Sequence, residues 1–556
     1  MKRLLVLSLL IAPSLLATET HRYIVATTRP ARVSRLRVLS TPAETAGRNV
    51  RMFESIDGFA VDLTDAEAEE MRKSAGVRYV SRTIAIHAVG DVHPTKFVPR
   101  PEVSPLASKQ FIQPGIDAVH ARDVWPLTRG GNVNIAIFDS GVDVNHADLA
   151  ANVVGGYNTF TKKAERADYN DDFLHGTHVA GIIGAIDNTL GVAGVAPAAR
   201  IYAVKVLDAF GAGTDETMVA ACDWVLAMKA GGGGNWIVSL SVGSLSTTDP
   251  ETEAFKRLTD AGVLCIAAAG NDAADQLLYP AALPDIVSVG AVDASNIIAD
   301  FSNYGPALNV VAPGVSVLST LPTGYLKRAS TTLADGTVMT AQTITGAPFS
   351  DVTGEWLYCS YGAVGDFPAE VRGKIAVVMR GMGLSFNEKV RNAKDAGAIG
   401  VAIINNDDTK FNTTWTLIGR YCDSQGCYFD ADDLAYPWPV VVAMSNADGA
   451  KLVNGAQKQV ITLSAYRDDY GFLSGTSMAT PHVTGAAALA WSLAPTATAK
   501  QVAAALRSSA VDLGPPGVDN TYGFGLVDAR AAAKWLAPSA FGLPSRPDDR
   551  HRGVHH

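Results

Sequence analysis

From about Gln110 the chain repeats one pattern: a short, wholly apolar run that stops at a small or acidic residue, followed by a longer stretch of helical character. The runs are VNIAIFD, RIYAVKVLD, WIVSLSVGS, VLCIAAAGN and IVSVGAVD, and the stretches between them include DETMVAACDWVLAMKA. A strand that is apolar on both faces must be covered on both, and alternation with helices achieves this as a parallel sheet between two helical layers. The sequence therefore predicts an α/β fold. In such sheets the chemically active side chains stand at the carboxyl ends of strands. Asp139, Ser241 and Asn271 occupy strand-end positions of this kind.

A chain of 556 residues with 47% apolar content is long enough for more than one core. Residues 1–17 carry Lys2 and Arg3, then the apolar run LLVLSLLIA, then small residues. That is the layout of a secretion signal, and the run is too short to span about 30 Å of hydrocarbon as a helix. No later stretch approaches the roughly 18 continuous apolar residues a spanning helix needs. The mature chain is thus expected to leave the membrane and to act outside the cell or in a periplasm. Charged residues make up 18% of the chain and the net charge is −9, which leaves no basic footprint for a phosphate backbone and argues against a nucleic-acid partner. The five cysteines are too few for a disulfide scaffold. Cys422 and Cys427 are close enough to close a small loop, and the odd total leaves at least one thiol unpaired.

Residues 18–90 hold two strand-like pieces, HRYIVAT and GFAVDLT, an acidic helical piece, DAEAEEMRKSAG, and the strand-like VRYVSRTIAI. They predict a small α+β unit. Residues 91–108 are proline-rich without periodicity and read as an exposed linker open to cutting. The strand and helix pattern occupies residues 109–320 and resumes over 470–537. Between them, residues 321–469 carry signals of their own: VRGKIAVVMRG, FNEKVRNAKDAGA, IGVAIINN and PWPVVVAMS. So many apolar runs predict an inserted β-rich domain rather than a long loop. Residues 538–556, rich in Pro, Arg and His, are expected to be tail.

Three segments bear on reactivity: VNIAIFDSG with Asp139, HGTHVAGII with His175, and GTSMATPHV with Ser477. A serine hydroxyl is a poor nucleophile at neutral pH and needs an adjacent base to take its proton. His175 can be that base. A buried carboxylate that fixes the imidazole tautomer and stabilises the imidazolium is the role open to Asp139. Ser477 precedes an Ala-rich helical run with Pro481 near its start, where a missing N–H is harmless, so its hydroxyl stands at a helix N-terminus. There the backbone N–H of Ser477 and the side-chain amide of Asn271 can serve a developing oxyanion. His178, three residues after His175, raises a zinc alternative. Zinc-peptidase helices space their histidines four apart with a glutamate beside the first, whereas Gly176 and Thr177 intervene here, so His178 is read as a packing or hydrogen-bonding residue. An esterase or lipase would carry G-x-S-x-G after a strand, and Ser477 lies in GTSMA.

The segments FDSGVDVNHADL, HGTHVAGII, SLSVGS, AAAGN and GTSMATPHV resemble those of the subtilisin-like serine proteases, and the order Asp, His, Ser is the order of that family. The resemblance runs from about Gln110 to Ala537, apart from the insertion. It implies a subtilisin-like parallel sheet with helices on both faces, a triad of Asp139, His175 and Ser477, and Asn271 as the oxyanion amide. It also implies that Ser241, Val242 and Gly243 form the edge that pairs with an extended peptide. Ala268, Ala269 and Gly270 would form one wall of the primary specificity pocket, with Leu278 near its far end. A structural Ca²⁺ is implied as well, held by side chains of Gln110, Asp148 and Asn188 and by backbone carbonyls of Ile186, Leu190 and Val192, an all-oxygen set suited to a hard cation.

The N-terminal unit, through FESIDGFAVDLTDAEAEEMRKSAGVRYVSR, resembles an inhibitor-type propeptide of ferredoxin-like fold. This implies a zymogen whose own N-terminal unit blocks the cleft and is cut off in the linker. The insertion, through RGKIAVVMRGMGLSFNEKVRNAKDAGAIGVAIINN, resembles a protease-associated (PA) domain, which implies a part in substrate access or docking. The reading is a secreted, monomeric serine endopeptidase that acts on proteins or peptides through an acyl-enzyme and matures by self-cleavage near residues 90–110. Two alternatives stay open on the sequence: a selective processing protease, and a catalytically silent protein-binding module.

Overall fold

The computed structural model describes residues 19–28, 49–89, 110–407, 415–423, 426–455 and 459–544. The expected signal at 1–17 and the linker at 91–108 lie outside the described residues, as does the end of the expected tail. Seven parallel strands form the main sheet, in the spatial order Val310–Pro313, Ile286–Val292, Leu264–Ala268, Asn235–Leu240, Val133–Asp139, Arg200–Lys205, Val153–Asn158. Along Val133–Asp139, Ile135 and Ile137 enter one apolar core while Ala136 and Phe138 enter another. A core on each face accounts for strands with no polar side.

On one side the chain runs from Val133–Asp139 to the edge strand Val153–Asn158 and back to Arg200–Lys205 between them, and on the other it builds outward from Asn235–Leu240. A reversal of that kind opens a crevice at the carboxyl ends of the two central strands, which are occupied by Asp139 and Ser241. Helix Thr476–Leu493 crosses one face and is buried through Trp491. Its Ala486, Ala487, Ala488 and Ala490 let it approach the strands more closely than larger side chains would. Helices Asp215–Gly232 and Asp249–Asp260 cover the other face through Met218, Val219, Phe255 and Leu258.

The N-terminal unit is a four-stranded antiparallel sheet in the order Arg51–Phe53, Gly58–Leu63, His21–Thr27, Val77–Arg82. Helix Asp65–Arg72 begins with a capping box in which Thr64 and Glu67 satisfy each other's backbone N–H groups. The run VRYVSRTIAI, which the sequence presents as one strand, divides in two. Val77–Arg82 stays in this sheet, and Ala85–Ala88 departs to pair with Val242–Gly243 and Ala212–Thr214 beside that crevice.

The insertion contains a closed barrel of Leu326–Leu333, Val338–Thr343, Val440–Met444, Gly400–Ile404, Ile375–Met379, Asp351–Tyr358 and Val460–Asp468. The chain enters it from Val317–Thr320 and leaves through Tyr470–Leu473, two strands that pair antiparallel with Thr320 opposite Tyr470. Cys222, Cys265 and Cys359 are buried free thiols. In the insertion's hairpin the backbone of Cys422 lies opposite that of Cys427. Among the described residues no helix is long and apolar enough to cross a membrane. The segment after Ala537 does not begin as tail: Pro538–Phe541 forms a 3₁₀ turn, and Phe541 packs against the main core. An aromatic anchor there outweighs the composition around it.

Candidate active site

Asp139 ends its strand and His175 begins helix His175–Gly184. Both are buried, and His175 Nδ1 lies 2.9 Å from each carboxylate oxygen of Asp139. Gly176 permits this approach. A Cβ there would sit 2.0 Å from the Gly141 carbonyl oxygen and 3.1 Å from Asp139 Cβ. Burial by itself lowers the His175 pKa, but attraction to and hydrogen bonding with Asp139 more than compensate, so the net shift is upward.

The first turn of the helix is held by Asp171, which the sequence reading missed. Its carboxylate accepts from Ser140 Oγ at 2.8 Å, Thr177 Oγ1 at 2.6 Å and the backbone N–H groups of Phe173, Leu174 and Thr177. It supplies the cap that Leu174, at the N-cap position, cannot. An acidic residue just upstream of HGTHV was the available signal.

Ser477 stands in the first turn of helix Thr476–Leu493. Asn271 Oδ1 accepts from the backbone N–H of Thr476 at 2.9 Å and from Thr476 Oγ1 at 2.8 Å, which turns the Asn271 amide nitrogen toward Gly475. A Cβ on Gly475 would lie 3.0 Å from Asn271 Nδ2, 3.5 Å from the Val89 carbonyl oxygen and 3.6 Å from Ser477 N. Two donors and one carbonyl oxygen therefore gather around a single glycine.

That carbonyl belongs to the chain's own N-terminal unit. Strand Ala85–Ala88 lies antiparallel between Ala212–Thr214 and Val242–Gly243. Val89 N donates to the Ser241 carbonyl at 2.9 Å and Ala88 N to the Gly211 carbonyl at 3.1 Å. Ser477 Oγ hydrogen-bonds to the Val89 carbonyl oxygen and lies 3.2 Å from the Ser241 carbonyl. Among the described residues His175 Nε2 is buried without a hydrogen-bond partner. Of the relay drawn from the sequence, the carboxylate–imidazole contact is formed, while the serine hydroxyl faces the bound carbonyl instead of the imidazole.

Two domain families and several known proteases are similar to the chain. The family described as Subtilase family matches residues 130–348 and 431–525, and the PA domain matches residues 345–452. The chain belongs to the subtilase family. Subtilisin E of Bacillus subtilis (strain 168) is 33% identical over 286 residues, which is 51% of this subtilase and 68% of the relative. Subtilisin Savinase of Lederbergia lenta is 42% identical over 193 residues, 35% of this chain and 68% of that one. The solved structure of the psychrophilic subtilisin-like protease Apa1 from the Antarctic psychrotroph Pseudoalteromonas sp. AS-11 aligns with a TM-score of 0.50 at 32% identity, covering 78% of this chain and 100% of that one. The enzyme is a subtilase serine endopeptidase with a PA domain inserted in its catalytic region.

Ala268 ends its strand, the Ala269 carbonyl accepts from Leu278 N at 2.9 Å, and Gly270 N donates to Thr476 Oγ1 at 3.2 Å. His178 Nε2 donates to the carbonyls of Val317 and Gly471 at 3.1 and 3.0 Å, and burial pushes its pKa down to about 3. A nitrogen that carries a donated proton is not free to ligate a metal.

The residues proposed for calcium also converge. Gln110 Nε2 donates to the Ile186 carbonyl at 3.0 Å, Asn188 Nδ2 to Asp148 Oδ1 at 2.9 Å, and Leu190 N to Asn188 Oδ1 at 2.6 Å. Val192 N and Tyr470 OH both reach Asp148 Oδ2 at 2.9 Å. Asp148 is fully buried, and its described partners carry no positive charge. Both amides present nitrogen to oxygens; a half turn of Gln110 exchanges nitrogen for oxygen without changing its shape, whereas the same turn of Asn188 would set its NH2 against the Leu190 N–H. With Gln110 turned, its oxygen, the Ile186 carbonyl and the buried Asp148 carboxylate are oxygen donors of the kind a hard cation takes.

Proposed function

We propose that this subtilase is a secreted zymogen that cuts its own chain between Val89 and Gly90, just ahead of the linker at 91–108, and then hydrolyses other proteins with the same groups. One observation carries the reading: the Val89 carbonyl rests on Ser477 Oγ beside two hydrogen-bond donors. His175 Nε2, which has no partner among the described residues, takes the hydroxyl proton as Ser477 Oγ bonds to the carbonyl carbon. The oxygen, now negative, is held by Ser477 N and Asn271 Nδ2. The intermediate collapses with loss of the Gly90 amine, which leaves with the proton from His175. Water, deprotonated by the same imidazole, then releases the Val89 carboxylate and restores the serine.

Ser241, Val242 and Gly243 pair with peptide backbone, and Ala268, Ala269 and Gly270 line the pocket for the side chain before the cut. The leader pattern at 1–17 supports export. The buried charge of Asp148 supports a structural Ca²⁺ among Gln110, Asn188 and the carbonyls of Ile186, Leu190 and Val192, where it would neutralise the carboxylate and fix the loop. N-terminal sequencing and labelling with a serine-reactive fluorophosphonate test the main reading. Wild type should yield a labelled chain beginning at Gly90, and Ser477→Ala should stay unprocessed and unlabelled. A first cut at any other bond, or a processed chain that takes no label, refutes it.

A further inference from the structure

Leu278 is pinned by backbone bonds between the two walls of the crevice. Its N–H donates to the Ala269 carbonyl at 2.9 Å, and the neighbouring Tyr279 exchanges bonds of 2.9 and 3.0 Å with Ser244. The isobutyl group fills the space between two glycines: a Cβ on Gly243 would lie 3.0 Å from Leu278 Cδ1, and one on Gly270 would lie 2.9 Å from Leu278 Cγ. The same position at Gly243 is 3.0 Å from Val89 Cγ2. The side chain ahead of the reacting carbonyl is thus short, branched, only 4% exposed, and borders the glycine that Leu278 borders. Three residues earlier, Ile86 is 1% exposed and joins the core that holds Met218 and Val242, whereas His87 between them faces solvent.

We propose that Leu278 shortens the primary pocket so that it accepts valine-sized side chains and refuses aromatic rings, and that this subtilase selects extended segments with aliphatic side chains at the first and fourth positions before the cut. The proposal rests on the assignment of Val89 as the residue before the cut. An aromatic ring in place of Val89 needs the volume that the isobutyl group occupies, and the backbone bonds of Leu278 prevent it from withdrawing.

The test uses the processed enzyme and quenched peptides that differ only at one residue, Ile-His-Ala-Val-Gly against Ile-His-Ala-Phe-Gly, with Asp replacing Ile in a third. Wild type should favour Val over Phe by about tenfold or more in kcat/KM and should lose about tenfold or more with Asp. Leu278→Gly should level or reverse the Val/Phe ratio while fluorophosphonate labelling persists, and Leu278→Ala carries the same expectation if the glycine variant fails to fold. In the precursor, Val89→Phe should slow self-cleavage, and adding Leu278→Gly should restore it. A labelled wild type that cleaves Phe as well as Val, or an unmoved ratio in both Leu278 variants, overturns the pocket proposal alone. Wild type that neither takes the label nor cleaves any peptide overturns the catalytic reading and this proposal with it.

Discussion

Because Asp139 raises the pKa of His175, the imidazole keeps its proton to a higher pH than a free histidine does. A base must be neutral to accept the Ser477 proton, so kcat/KM falls as pH drops through that raised value. Asp139→Asn should move this acid limb to lower pH and cut turnover by about 10⁴, because the amide no longer fixes the productive tautomer. Stability responds with the opposite sign. A histidine whose folded pKa is raised contributes fully below its unfolded value near about 6.5, and that contribution is lost as pH rises through the folded value. Rate profiles and thermal melts of wild type and Asp139→Asn read both effects, and an acid limb that stays in place in the variant would break the link. The three positions proposed as catalytic stand out in the sequence because each sits in a local motif with its own chemistry, and the structure places them at a strand end (Asp139), a helix start (His175) and a helix N-terminus (Ser477). Val89 carries no such mark, since an aliphatic residue after a strand is ordinary until its partner is known.

Among the elements, the loop from Ile186 to Val192 depends on what neutralises Asp148. If Ca²⁺ does so, chelation should lower the melting temperature of the fluorophosphonate-inhibited enzyme. A site filled at a hundred times its dissociation constant contributes about 2.7 kcal/mol. Asp148→Asn should abolish the difference between calcium and chelator, and identical melts of wild type in the two conditions would remove the ion from the account. The same scale shows where local pattern fails. Strands alternating with helices announced the main sheet, because burial on both faces leaves an unbroken apolar run. The parting of VRYVSRTIAI was hidden because both halves satisfy strand chemistry. What separates them is distant: Thr83 N bonds back to Arg22 in the N-terminal sheet, while Ile84 N reaches the Asp215 carboxylate on the catalytic side.

Across the whole molecule the N-terminal unit is fastened to the catalytic region by more than its last strand. Arg22 makes two bonds to Glu216, Arg78 pairs with Glu253, Arg257 pairs with Asp57, and the Asp223 carboxylate receives the N–H groups of Glu54 and Ser55. The PA insertion is fastened differently. It opens and closes at one doorway, where Thr320 faces Tyr470, and the inner jamb of that doorway steadies the helix of His175: Ser319 Oγ donates to the His178 carbonyl and Thr320 Oγ1 to the Thr177 carbonyl, each at 2.7 Å. Replacing residues 321–469 with a two-residue Asn-Gly turn should therefore leave hydrolysis of short peptides within about threefold of wild type, since paired flanking residues are what such a turn closes. Loss of peptide hydrolysis in a folded excision variant would contradict this. A cassette plugged into a single socket can be exchanged over evolutionary time without rewiring the machine that hosts it, and any pull on the cassette is felt first by the base.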